Sequence, residues 1–174
     1  RYSADFPHQI AKILRDVKGP EMLMHFTMGA AGNVNHYYLL DPHRPHRVKG
    51  YDESARIGTL IAAEVVRGYA QLRPVAVDGL KVSHETVSLV LHEAKAAAVA
   101  AQFGGGAAFH DGEVGYRLID GQYRFEAEVM VIALGEEVAF VGFPGEMFVE
   151  LGLMVKQGSP YQYTFIDTLA NGAI

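Results

Sequence analysis

Apolar and polar positions change their period along the chain, and each change marks an element. After Ser3-Ala-Asp-Phe-Pro7, the residues Ile10, Ile13, Leu14 and Val17 recur at helical spacing. Ser3 or Asp5 can cap that helix, Pro7 suits its first turn, and Gly19-Pro20 stops it. Met22-Leu-Met-His-Phe-Thr27 follows as a nearly continuous apolar run, the pattern of a strand buried on both faces. His25 inside it reads as a core histidine bonded to backbone rather than a ligand.

A helical period returns over 51–71, through Ile57, Leu60, Ile61, Val65 and Gly68, with Asp52 or Ser54 as cap and Arg73-Pro74 as the end. Residues 75–91 read as extended, alternating through Leu80, Val82, Val87, Leu89 and Leu91. The alanine-rich stretch 93–102 reads as helix, Phe103-Gly-Gly-Gly106 as a hinge or exposed loop, and 109–122 as a mobile segment.

Two apolar runs, 125–134 and 138–143, are separated only by Gly135-Glu-Glu137 and so predict an antiparallel hairpin. Pro144-Gly145 turns the second run into a helix with Glu146 at its mouth and Met147, Leu151, Met154 and Val155 as its core stripe. Gly158-Ser-Pro160 closes the helix, and 161–169 forms a last strand before the Asn171-Gly172 turn. This order predicts an α/β fold: a mixed sheet with helices packed on its faces, including an antiparallel hairpin.

Composition narrows the function classes. The 174 residues are 49% apolar and 20% charged, enough for one domain with a sizeable core. No apolar run approaches the roughly 18 residues of a membrane-spanning helix. With net charge −5 and no basic cluster beyond Arg44-Pro-His-Arg47, nucleic acid is not expected as a partner. The absence of cysteine removes disulfides, thiolate catalysis and cysteine-ligated zinc. The chain opens without Met and closes on an apolar stretch, so residues 1–174 are expected to be a single domain cut from a larger one.

Few patterns carry chemistry. In His43-Arg-Pro-His46 proline blocks the helical geometry that two-His metal motifs need, and the segment reads as solvated loop. Ser83-His84-Glu85 holds triad letters, but strand neighbours point to opposite faces. No Gly-x-Ser-x-Gly elbow exists. In Gly29-Ala-Ala-Gly-Asn-Val-Asn35 small residues let backbone approach a ligand, while Asn33 and Asn35 offer amides; a plain turn is the competing reading. Glu146 likewise reads as an acid complementing a helix dipole or as a site carboxylate at a strand-to-helix corner.

Four segments together resemble the catalytic domain of the neutral/alkaline (non-lysosomal) ceramidase superfamily. They are Ser3-Ala-Asp-Phe-Pro7, Gly29-Ala-Ala-Gly-Asn-Val-Asn35, Phe143-Pro-Gly-Glu146 and Thr168-Leu-Ala-Asn-Gly172. Their order and spacing resemble the second half of that domain, least between residues 75 and 122. The resemblance implies a zinc hydrolase in which metal-bound water attacks the amide of an N-acyl sphingoid base. It implies that Glu146 is one zinc ligand, with two histidines and a tyrosine supplied from outside residues 1–174. It places Asn33 and Asn35 at the catalytic loop, with Gly32 and His36 beside them as substrate-binding candidates.

It also implies a small-molecule or lipid substrate and favours a secreted or periplasmic location. One departure matters: ceramidases read Gly-Asp-Val-Ser where this chain reads Gly32-Asn33-Val34-Asn35. An amide cannot serve as nucleophile or general base near neutral pH, so the departure counts against ceramide as substrate and keeps a non-catalytic lipid- or carbohydrate-binding relative in view.

Overall fold

A computed structural model describes residues 3–35, 50–94, 96–98, 108–109 and 115–172. Its contacts divide the chain into two compact units, one of Arg1–Phe26 with Asn35–Pro74, the other of Thr27–Val34 with Val75–Ile174.

The first unit is a helix pair. Helix α1 spans Asp5–Lys18 and α2 spans Tyr51–Gly68, the latter running into a 3-10 turn at Tyr69–Gln71. Ala4 occupies the N-cap position of α1, so neither Ser3 nor Asp5 caps it; the Ser3 hydroxyl instead accepts from the Asp5 N–H and the Asp5 carboxylate from the Phe6 N–H at the first turn. Ile10 and Leu14 of α1 close on Ala62 of α2, and Phe6, Ile13, Met22, Met24 and Val66 pack around them.

That packing corrects the reading of 22–27. No strand forms there. Met22 and Met24 lend their side chains to the helix pair, while Leu23 and His25 point to solvent, so His25 is not a core histidine. On α2 neither Asp52 nor Ser54 caps; Gly50 occupies the N-cap position, and the half-exposed Arg56 holds the buried Glu53 at 2.6 Å.

The second unit is built on a mixed sheet. Its strands are β1 (Leu80–Val90), β2 (Ala108–Phe109), β3 (Gly115–Ile119), β4 (Gln122–Leu134), β5 (Val138–Gly142) and β6 (Tyr163–Asp167). Strand β4 organises it. One edge of β4 carries β1 in unbroken antiparallel register from Leu80↔Leu134 to Val90↔Arg124. The other edge carries β3 along its first part and β5 along its last, with β2 beyond β3 and β6 beyond β5.

The predicted hairpin stands as β4 and β5. A second one joins β3 to β4 through Asp120-Gly121, whose φ angles of 51° and 75° match the two-residue turn favoured by strand twist. Residues 115–119 are therefore strand rather than the expected mobile segment. The crossover to β6 makes β5 and β6 parallel, and helix α3 (Val149–Gly158) lies on that crossover.

Alternation along β4 sorts the faces. Tyr123, Phe125, Ala127 and Ala133 are buried on one side, in line with Ala139, Val141 and Ile166 of β5 and β6. Helix α3 packs there, where Gly152 is its buried residue. The opposite face carries Ile132, Phe140 and Phe165 in one row, with Phe140 and Phe165 stacked at 4.9 Å. The expected α3 stripe is corrected too: Leu151 and Met154 are half or more exposed. Residues 93, 94 and 96–98 are helical as predicted, and the Phe103-Gly-Gly-Gly106 segment lies outside the described residues. Among the described residues no helix is long and apolar enough to cross a membrane.

Candidate functional site

Parallel β5 and β6 end side by side, at Gly142 and Asp167, and the chain leaves both strands on the same edge of the sheet. Such carboxyl ends are where open α/β sheets form crevices. Three of the four motif segments meet at this edge. Phe143 donates its N–H to the Asp167 carbonyl at 2.9 Å, and Ala170 returns an N–H to the Phe143 carbonyl at 2.9 Å. Leu169 N–H reaches the Gly145 carbonyl at 3.4 Å. The Thr168-Leu-Ala-Asn-Gly172 turn is thus tied to Phe143-Pro-Gly-Glu146 through backbone.

The glycine loop joins them from the other side. Thr168 N–H donates to the Met28 carbonyl at 2.7 Å, and the buried Thr168 hydroxyl lies 3.1 Å from that oxygen and 3.0 Å from the Gly29 carbonyl. Gly32 N–H donates to the Met147 carbonyl at 2.7 Å. A Cβ at position 32 would fall 2.6 Å from the Glu146 carbonyl oxygen, so only glycine permits this approach.

Asn33 completes the junction. Its Oδ1 accepts from the Val149 N–H at 2.9 Å, and its Nδ2 donates to Glu150 Oε2 at 2.8 Å. Val149 opens α3, and the preceding Phe148 has extended backbone and no local side-chain cap. The cap arrives instead from a loop more than a hundred residues upstream in sequence. This corrects where the helix starts. With the Met147 carbonyl taken by Gly32 and the Val149 N–H by Asn33, the chain from Glu146 to Phe148 stays non-helical.

The first-turn acid of α3 is accordingly Glu150, whose carboxyl is held below its ordinary range first by its own backbone N–H and then by the Asn33 amide. Glu146 is exposed on the turn before the helix, and among the described residues no side chain engages its carboxylate. Asn35 is exposed and belongs to the first unit. His36, like the 37–49 loop with His43 and His46, lies outside the described residues.

Beside the junction a cavity of about 280 Å³ opens between loop, helix and sheet, lined by Gly29, Ala30, Val149, Leu153, Lys156 and Ile166 among others. Lys156 is the one charged residue among those lining it, beside the apolar Ala30, Val149, Leu153 and Ile166. Thr168, Glu150 and Lys156 were not singled out by pattern. Only Thr168 carried a signal, as the first residue of a quoted motif.

A metal needs converging donors, and among the described residues no three His, Cys, Asp or Glu side chains are grouped to hold one. Glu146 fits one part of such a site, as a solvent-facing carboxylate at the carboxyl edge of the sheet. Ser83, His84 and Glu85 alternate across β1 as expected: His84 turns toward Glu128, 3.5 Å away, on the face opposite to Ser83 and Glu85. Comparison of the chain with protein-family models, with curated proteins and with solved structures gives no match.

Proposed function

We propose that this chain is part of a zinc-dependent hydrolase of the ceramidase-like kind, cleaving the amide bond of an N-acyl substrate. The observation that carries the reading is the convergence of the 29–33 loop, the Pro144-Gly145-Glu146 corner and the 168–172 turn at one sheet edge. Those segments lie far apart in sequence and were linked beforehand only by their resemblance to one catalytic domain.

Glu146 would contribute one carboxylate ligand, the others coming from outside residues 1–174. Zinc, when bound, supplies Lewis-acid activation of water for attack on a carbonyl. The chain's own residues shape the surroundings. Asn33 and Gly32 position the turn that bears Glu146, and the Ala30, Val149, Leu153 and Ile166 side of the nearby cavity suits a hydrocarbon portion of the substrate.

The test is elemental analysis of the full-length protein and its Glu146→Ala variant, with hydrolysis of a short N-acyl sphingoid amide assayed in parallel. About one zinc per wild-type molecule, lost in the variant together with turnover, is the expected result. Full zinc retention in Glu146→Ala would overturn the ligand assignment.

A second reading has its own support. Asn35 stands where the resemblance calls for serine, and both ends of the Asn33 amide are engaged in holding α3. On that reading the protein is a non-catalytic lipid- or carbohydrate-binding relative. Zinc bound at Glu146 without hydrolysis of any amide or ester tested, alongside saturable binding of an acyl-chain probe, selects it.

A further inference from the structure

Strand β1 lies at the margin of the sheet, paired with β4 and with no other strand among the described residues. All of its residues are exposed, including Leu80 at 66%, Val82 at 56% and Val90 at 53%. Edge strands are ordinarily kept from pairing by brevity, proline, bulges or several lysines. This one spans 11 residues, runs in one-to-one register without a bulge, contains no proline and carries Lys81 as its sole lysine.

The hydrogen-bond phase fixes which groups face outward. Leu91 N–H donates to Tyr123 and Gly135 N–H to Gly79, so odd-numbered positions of β1 bond to β4. The N–H and C=O groups of Leu80, Val82, His84, Thr86, Ser88 and Val90 therefore project from the free edge.

We propose that β1 is a self-association edge, pairing antiparallel with β1 of a second copy about a two-fold axis at Ser83. Charge selects this register and this occupant. Centred on Ser83, residues 80–86 of the two copies pair, and Lys81 of each stands opposite Glu85 of the other. Centring on His84 sets the two histidines opposite each other, and centring on Glu85 sets carboxylate against carboxylate. Centring on Thr86 leaves Lys81 facing Leu91 and Glu85 facing Val87.

In the Ser83 register Val82 also meets its own copy on the diagonal, joining two apolar patches that extend through Ile132 and Leu134. Lys81 already touches Glu136 at 2.7 Å, but both ends of that pair are exposed and the ammonium has donors to share.

The absence of cysteine makes the register directly testable. In this pairing the two Ser83 residues form a non-hydrogen-bonded pair with Cα atoms about 4.5 Å apart, inside disulfide range. Ser83→Cys should give a disulfide-linked dimer under mild oxidation, roughly tenfold faster than Glu85→Cys or Val87→Cys. Sedimentation of the unmodified protein should show a concentration-dependent dimer. Glu85→Lys should weaken it by roughly tenfold, and adding Lys81→Glu should restore it. Thr86→Pro removes an outward N–H without touching the β4 ladder, and should yield monomer with unchanged circular dichroism. The proposal is overturned by a protein that sediments as monomer throughout, or by cross-linking of the Glu85→Cys or Val87→Cys variant as fast as that of Ser83→Cys.

Discussion

The Asn33 amide grips α3 from both ends: its oxygen holds the Val149 N–H at 2.9 Å while its nitrogen holds the Glu150 carboxylate at 2.8 Å. Helix N-termini leave several N–H groups without intrahelical partners, and a local Ser, Thr, Asp or Asn ordinarily serves them. Here the local N-cap is Phe148, which has no such group. Replacing Asn33 with Ala should cost about 1 kcal/mol, the usual value of a lost cap. Asn33→Asp keeps an acceptor for Val149 but sets a carboxylate against Glu150, so it should be destabilising at neutral pH and recover in acid. Urea unfolding at two pH values measures both.

The same contact sets a pH dependence. The folded-state pKa of Glu150 lies below its ordinary 4.5 because its own backbone N–H and then Asn33 donate to the ionised form. A depressed carboxylate pKa stabilises the fold fully above the unfolded value, and that contribution is lost as pH falls through the folded one. Wild type should therefore exceed Glu150→Gln in stability at neutral pH, with the gap closing through the acid range. A gap that widens in acid would contradict the assignment. The measurement is the urea midpoint of both proteins as a function of pH.

Why some of this was legible in sequence and some not follows from the range of the forces involved. The β4–β5 hairpin was readable because two apolar runs flank Gly135-Glu-Glu137, and a turn that short leaves few ways to pair. The boundaries of α1 and α2 were readable from periodicity and from Gly19-Pro20 and Arg73-Pro74. Strand β3 was missed although Asp120-Gly121 is a strong hairpin signal, because its few residues lack a clean alternation. The run 22–27 has the composition of a buried strand, yet its methionines are drawn to the α1–α2 core. The start of α3 was misplaced because its cap comes from Asn33, and no local window contains that residue. At the site, the joining of the three motif segments through Thr168 and Gly32 rests on backbone contacts that no pattern displays.

Thr168 gives a compact test of that joining. Its buried hydroxyl reaches the Met28 and Gly29 carbonyls, and valine has the same shape without the donor. Thr168→Val should cost about 1 kcal/mol, since the one hydroxyl proton shared between the two carbonyls is lost while Met28 keeps the Thr168 N–H. Hydrogen exchange at Gly32, whose N–H bonds Met147, should accelerate more than exchange in the β4–β5 hairpin. Equal acceleration in both places would mean that the effect is global rather than a loosening of the loop.

Gly152 and Ala30 set two effects of similar size against each other. Alanine is better than glycine inside a helix by about 1 kcal/mol, so Gly152→Ala taken alone should strengthen α3. Its Cβ, however, would fall 2.6 Å from the Ala30 Cβ, about 1 Å inside the favourable carbon–carbon separation. Overpacking of that order costs about 1–3 kcal/mol. The overlap outweighs the propensity gain, and the single substitution should destabilise by about 1 kcal/mol while pushing the helix off the loop. Ala30→Gly removes the opposing methyl. The double variant should then recover most of the loss, because the gain in helix propensity survives and the clash does not. A double-mutant cycle by urea unfolding reads the coupling directly. Additive effects of the two substitutions would show that Gly152 and Ala30 do not touch, and would remove the close approach on which the cavity wall depends.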